Sequence, residues 1–247
     1  MIKNSEIRHD LISGNWVIIS PRRGKRPEAG IKKCPFENSL KGQKIISRYG
    51  QMPDWRLALL ENKYPAVVHG ENPLIKKTGA YELLRGFGHH NLVVTRDHNL
   101  NFPKLSEEDA TLVFRVFQDR YRTLQKEKEA AYISIFHNWG PKAGASIFHP
   151  HYQIMTVPIV PCAVEISLGN STRFFSKQKR CMHCFVMKRE LKERKRIVFK
   201  NQSAVAVAPF VSREPFQLRV YPLRHRPYFE DTPEKEMNDI ALALRSA

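Results

Sequence analysis

The sequence predicts an α+β chain built on antiparallel sheets, and three observations carry that reading. Short β-rich apolar runs recur along the chain, each bounded by turn residues. One long stretch after Ser106 repeats its apolar residues at helical spacing instead. Between these, Gly144–Pro161 (GASIFHPHYQIMTVPIVP) sets His149, His151 and Gln153 two residues apart. On an extended strand that spacing puts three nitrogen-bearing side chains on one face, and Phe148, Pro150, Tyr152 and Ile154 on the core-facing other. The bland alternative is an apolar strand with two half-buried histidines. It leaves unused the small-residue loop just upstream, Asn138–Ser146, whose backbone can approach a phosphate. A phosphate loop feeding a histidine strand points to phosphoryl or nucleotidyl chemistry.

Taken in order, Ser13-Gly14-Asn15 is a turn and Trp16–Ile19 a strand. Pro21–Pro27 (PRRGKRP) then gathers four cations in a loop, either a clamp on a nucleotide or a solvated basic loop. Residues 38–53 read as loop and edge strand. Strands are expected at Arg56–Leu60, Gly79–Leu84 and His90–Thr95, the last buried. Ser106 is the N-cap of a helix with acids in its first turn, expected to run to about Ala130. Ala131–Phe136 is a strand feeding the Asn138 loop. Residues 166–180 are polar and read as a linker. Beyond it lie a helical stretch Phe185–Arg194, strands at Ile197–Phe199, Ala204–Ala208 and Pro215–Tyr221, and a helix capped by Thr232 with Pro233 at its first position. The expected organisation is therefore a first unit, 1–165, a linker, 166–180, and a second unit, 181–247. The second echoes the first: Cys181, strands, Arg224-His225, helix. By that parallel it lacks its final strands.

Composition narrows the partners. Forty-two per cent apolar and 10% aromatic residues suit a folded protein with a sizeable core. There is no apolar run long enough for a membrane span and no secretory h-region at the start, so a cytoplasmic protein is expected. A net charge of +17 favours anionic partners, namely nucleotides, sugar phosphates or nucleic acid. Four cysteines are too few for a disulfide scaffold; Cys181-x-x-Cys184 reads as metal or redox, and Cys34-x-x-Glu37 has the spacing of two ligands to one zinc ion.

These pieces together resemble the galactose-1-phosphate uridylyltransferases and the related nucleotide-sugar phosphorylases of the histidine triad superfamily. The matching segments are IRHDLISGNWVIISPRRGKRP, CPFE, ENKYPAV, TRDHNLNFPKLS, GASIFHPHYQI with VPIVP after it, CMHC and PFQLRVYPLRHRPYFED. The resemblance implies tandem histidine-triad-like units, usually dimeric. It makes His151 a nucleophile that attacks the α-phosphorus of a nucleotide sugar, leaving a nucleotidyl-histidine that a second hexose 1-phosphate collects. Gln153 stands where related hydrolases carry a third histidine. A glutamine cannot shuttle protons but can donate to a phosphoryl oxygen, which suits transfer over hydrolysis. By the same matching, Asn138, Gly144 and Ser146 line the phosphate site, and Arg22, Lys25 and Asn62 lie near the nucleotide. A first zinc site maps to Cys34, Glu37, His98 and His149, with Glu37 where a second cysteine is common. A second metal site maps to Cys181, Cys184 and His225, its fourth ligand unassigned unless His183 or a water serves.

The expected activity is transfer of UMP between hexose 1-phosphates by a homodimer. The alternatives are an ADP-sugar or dinucleotide phosphorylase or hydrolase on the same fold, a zinc-stabilised nucleic-acid-binding protein, or an inactive relative. The nucleic-acid reading predicts strongly salt-dependent binding and leaves the His151–Gln153 register without a role.

Overall fold

Three antiparallel sheets organise the chain, as seen in a computed structural model that describes residues 4–25, 34–37, 40–51, 53–70 and 75–247. The described chain divides into two compact units, one of residues 1–101 and 119–163, the other of 102–118 and 164–247.

The first unit holds two sheets. Strands β1 (Glu6–His9) and β2 (Trp16–Ile19) form a hairpin across the Ser13–Asn15 turn, where Gly14 takes a φ of 72°. β3 (Ile45–Tyr49) and β4 (Leu57–Glu61) pair next, and β5 (Lys76–Thr78) turns tightly through Gly79 into β6 (Tyr81–Arg85). β7 (His90–Thr95) is buried along its whole length. A helix, α1 (Glu107–Leu124), begins at Ser106, whose Oγ accepts the Asp109 N–H at 3.0 Å, the cap expected from sequence. It stops six residues short of Ala130, because 125–131 turn back through Glu127 N–H to Leu124 and Ala130 N–H to Glu127. β8 (Tyr132–His137) and β9 (His151–Val157) follow. The five-stranded sheet runs β3-β4-β7-β9-β8 and the four-stranded sheet β2-β1-β6-β5.

Ala58, Leu60, Leu92 and Val94 on adjacent strands pack with Phe36, Leu40 and Trp55 into one core. Ile7, Val67, Leu84 and Val157 make a second. Both faces of β9 are covered, with Tyr152 and Ile154 buried opposite His151 and Gln153. Phe148, expected inside, precedes the strand and is half exposed.

In the second unit, 166–180 is no linker segment in its backbone. It lies largely in α2 (Cys162–Gln178), since one glycine costs a helix only about 1 kcal/mol and Phe174 packs at a tilt against Phe185. α3 (Met182–Glu193) starts directly after Cys181. β10 (Ile197–Lys200), β11 (Ala204–Val207) and β12 (Arg219–Pro222) form the third sheet, with Val205, Val207 and Met187 at its core. The strand expected from Pro215 is shorter, because Glu214–Gln217 is a turn with Phe216 at a φ of 60°. α4 (Glu234–Ser246) packs on β11 and β12. Its cap position is Pro233, not Thr232, whose hydroxyl donates to the Tyr228 carbonyl at 3.3 Å. No helix among the described residues is long and apolar enough to cross a membrane.

Candidate active site

β9 enters the sheet at His151, paired on one side to β7 and on the other to β8. The β8–β9 ladder ends at His137 opposite Tyr152. One step further, Asn138 leaves the sheet beside His151, so the loop 138–150 departs from and returns to the same spot. Within it, Gly140 and Gly144 adopt φ values of 81° and 75° around a short 3-10 turn, Pro141–Ala143. The Gly144 N–H is bonded to Pro141 O at 2.9 Å and the Ala145 N–H to Gly140 O at 3.2 Å. Gly144 therefore shapes the loop, while Asn138 and Ser146, both half-buried, flank the turn.

The orientation of His151 is set by the main chain. Its Nδ1 lies 2.9 Å from the carbonyl oxygen of His149. A carbonyl only accepts, so Nδ1 carries the proton and Nε2 keeps its lone pair. Burial pushes the His151 pKa below the usual histidine value, partly opposed by that same carbonyl bond. The ring is thus neutral at neutral pH. Phe36 packs against it with ring centroids 5.9 Å apart.

Gln153 shares that face of β9 and meets His90, the first residue of β7. The Ala66 N–H donates to His90 Nδ1 at 3.0 Å, so His90 holds its proton on Nε2 and donates it to Gln153 Oε1, also at 3.0 Å. Gln153 is left with its amide N–H groups as donors. Asn62 Nδ2 approaches the same His90 nitrogen at 3.2 Å, a contact between two donors, while Asn62 Oδ1 accepts the Tyr64 N–H. Asn62 therefore belongs to this cluster. His90 was not singled out from sequence, although a histidine opening a buried strand is itself a signal, since a buried polar ring needs a partner.

Arg22 lies on the first unit in a 3-10 turn, Pro21–Lys25, and lines a cleft of about 300 Å³ with Ser5, His69, Arg85 and Phe87. The Lys25 side chain lies outside the described residues, as do Arg26 and Pro27.

Two clusters bring together residues from the expected metal sets. Cys34, His98 and His149 bring their ligand atoms within 4.8 Å of one another. His149 is fully buried and donates Nε2–H to the Thr95 carbonyl at 2.6 Å, which leaves Nδ1 facing Cys34 Sγ at 3.4 Å. A backbone carbonyl fixing the tautomer of a ligating imidazole is the usual supporting arrangement of a metal site. His98 Nδ1 is buried with no hydrogen-bond partner among the described residues, yet stands 2.9 Å from Glu37 Oε1. An unbonded nitrogen crowded by a carboxylate is what ligands show around a shared cation, so the residues fit a metal ion. Glu37 reaches His98 without joining the tighter trio. Burial raises the Cys34 thiol pKa, a cost that metal binding would offset. In the second unit Cys181, Cys184 and His225 also converge, with Cys184 Sγ 3.2 Å from His225 Nδ1. His183 is exposed and outside this trio.

Residues 58–161 match the family model for the N-terminal domain of galactose-1-phosphate uridyl transferase. The galactose-1-phosphate uridylyltransferase of Thermotoga maritima is 30% identical over 97% of this chain and 73% of its own length. The chain belongs to the galactose-1-phosphate uridylyltransferase family. Its similarity extends to the ADP-glucose phosphorylase of Arabidopsis thaliana, 26% identical over 98% of this chain and 73% of that protein. Among solved structures, a uridylyltransferase superposes with a TM-score of 0.83 at 31% identity, covering 97% of this chain and 73% of that one. The Arabidopsis ADP-glucose phosphorylase with bound ADP-glucose gives 0.72 at 25% identity, covering 98% and 76%. As a galactose-1-phosphate uridylyltransferase family member, the chain has the α+β architecture of antiparallel sheets expected of it.

Proposed function

We propose that the protein is a nucleotidyltransferase that moves UMP between hexose 1-phosphates through a nucleotidyl-histidine, with His151 as nucleophile. The observation that carries this is the Nδ1–H bond from His151 to the His149 carbonyl, which reserves Nε2 for attack. In the first half, an Nε2–phosphorus bond forms at the α-phosphorus and the bond from that phosphorus to the departing hexose 1-phosphate oxygen breaks. In the second half, an incoming hexose 1-phosphate oxygen attacks the same phosphorus and the nitrogen–phosphorus bond breaks. Two displacements at one atom replace one difficult one. The attacking imidazole becomes cationic once its Nε2–phosphorus bond forms, and the carbonyl on Nδ1–H stabilises that charge. Gln153, held by His90, would donate to a phosphoryl oxygen as charge builds there. Asn138, Gly144 and Ser146 would form the loop around the phosphates, and Asn62, Arg22 and Lys25 the nucleotide's surroundings.

Zinc is the metal this reading assigns to Cys34, His98 and His149, with Glu37 beside them, and to Cys181, Cys184 and His225. Thiolate and imidazole donors suit it. When bound at the first site it supplies a rigid cross-link that holds His149, and with it the carbonyl on which His151 depends. The working assembly is a homodimer, supported by the exposed Ile166, Leu168 and Phe175 of α2. The compartment is the cytoplasm, supported by four free cysteines.

The test uses UDP-glucose radiolabelled in the α-phosphate. The protein is expected to retain acid-labile, alkali-stable label, and His151→Ala to retain none. Labelling from ADP-glucose but not UDP-glucose would move the assignment to the phosphorylase branch. Equal label in wild type and His151→Ala would overturn it.

A further inference from the structure

His69, His89 and Glu127 form a third cluster in the first unit, and none of the chemistry above uses it. Their ligand atoms all lie within 4.8 Å of one another. The two imidazoles stack with centroids 4.4 Å apart and planes 23° from parallel. His89 Nε2 lies 3.7 Å from Glu127 Oε1, too far for a hydrogen bond. That nitrogen is buried and has no hydrogen-bond partner among the described residues. Two donors at ordinary zinc–ligand distances from one tetrahedral ion stand about 3.4 Å apart, close to the separation seen here.

The three backbones are fixed before any ligand arrives. His89 is tied on both sides to Thr156 of β9: its N–H donates to Thr156 Oγ1 at 2.8 Å, and its carbonyl accepts the Thr156 N–H at 3.0 Å. The residue before His69 is held by Val68 N–H to Gly86 O at 2.9 Å and Gly88 N–H to Val68 O at 3.3 Å. Glu127 sits in the turn that closes α1, bonded through its N–H to Leu124 O at 3.1 Å. His89 and His90 are consecutive and therefore face opposite ways at the strand entry. His90 turns to Gln153, so His89 serves a separate place.

We infer that His69, His89 and Glu127 form a third divalent-metal site, open on the side of the exposed His69, that takes a nitrogen-preferring ion of the zinc class. Two imidazoles and one carboxylate leave a coordination position for water. Magnesium and calcium, held chiefly by charge and oxygen, are poorly suited to a site with two nitrogens.

Equilibrium dialysis of the full chain against buffered free zinc, followed by elemental analysis, tests this. His69→Ala and Glu127→Gln alter partly exposed side chains and leave the backbone ties intact. Each is expected to bind one zinc fewer per chain than wild type. With cobalt in place of zinc, the thiolate-to-metal absorption of the two cysteine clusters should stay at wild-type intensity in both variants. Unchanged zinc content in both would overturn the site. So would a matching loss of thiolate absorption, which would trace the missing ion to a cysteine cluster, or full displacement of this zinc by magnesium.

Discussion

Because the Ala66 N–H occupies His90 Nδ1, that ring has to carry its proton on Nε2, where Gln153 Oε1 receives it. The chain of bonds reaches from a loop backbone through two side chains to the face of β9 that carries His151. Replacing His90 by leucine keeps the volume but frees Gln153 to rotate. The expected result is single-turnover labelling of His151 slowed about a hundredfold, with zinc content unchanged, since misplacement of a donor by an ångström costs on that order. A wild-type labelling rate in His90→Leu would remove His90 from the site. The register of His151 and Gln153 was legible in the sequence because alternation along a strand is a local rule. His90 was not, because its partners lie 24 and 63 residues away.

At the level of elements, β7 and β9 meet at a tight passage. Gly88 has a φ of 144°, and a Cβ there would stand 2.1 Å from the Thr156 carbonyl oxygen. No ordinary side chain fits, and the backbone angle is one that only glycine adopts freely. Gly88→Ala should therefore destabilise the fold by about 3 kcal/mol or more, read as a lower urea midpoint at unchanged slope. It should also disturb both His89 and His90, which follow it directly. Turn glycines such as Gly14 announce themselves in sequence by the company of serine and asparagine. Gly88 lies among Gly86, Phe87 and two histidines, and the need for close approach appears only once β9 is laid alongside. Helix ends proved equally dependent on context. Ser106 caps as its acids predict, whereas at α4 Pro233 takes the cap position and the Thr232 hydroxyl donates to the Tyr228 carbonyl.

For the molecule as a whole, acid is the expected weakness. His137, at the end of β8, packs its ring 4.5 Å from Tyr152 and has Nε2 buried without a hydrogen-bond partner among the described residues. Burial, with some help from His151, lowers its pKa to about 4. The unfolded chain binds a proton there near pH 6.5 and the folded chain resists until about 4. The folded state thus binds fewer protons across that interval. Stability is at its full value above pH 6.5 and declines as pH falls toward 4. His137→Phe should flatten that decline, measured as the urea midpoint against pH; an unchanged slope would exclude His137 as a cause. The antiparallel α+β class and the histidine strand could be read from residue spacing, whereas the histidines of the two cysteine clusters came only with the family resemblance. The His69–His89–Glu127 cluster could not, because its three members come from separate loops with no shared motif.

Position 149 performs two jobs through two different parts of one residue. Its imidazole belongs to the cysteine cluster, but what aligns the ring two places later is its carbonyl, a group every amino acid possesses. Mutation can erase the first job while sparing the second. A lineage that lost this imidazole would therefore keep the acceptor that sets the His151 tautomer while losing the cross-link proposed to hold that acceptor in place.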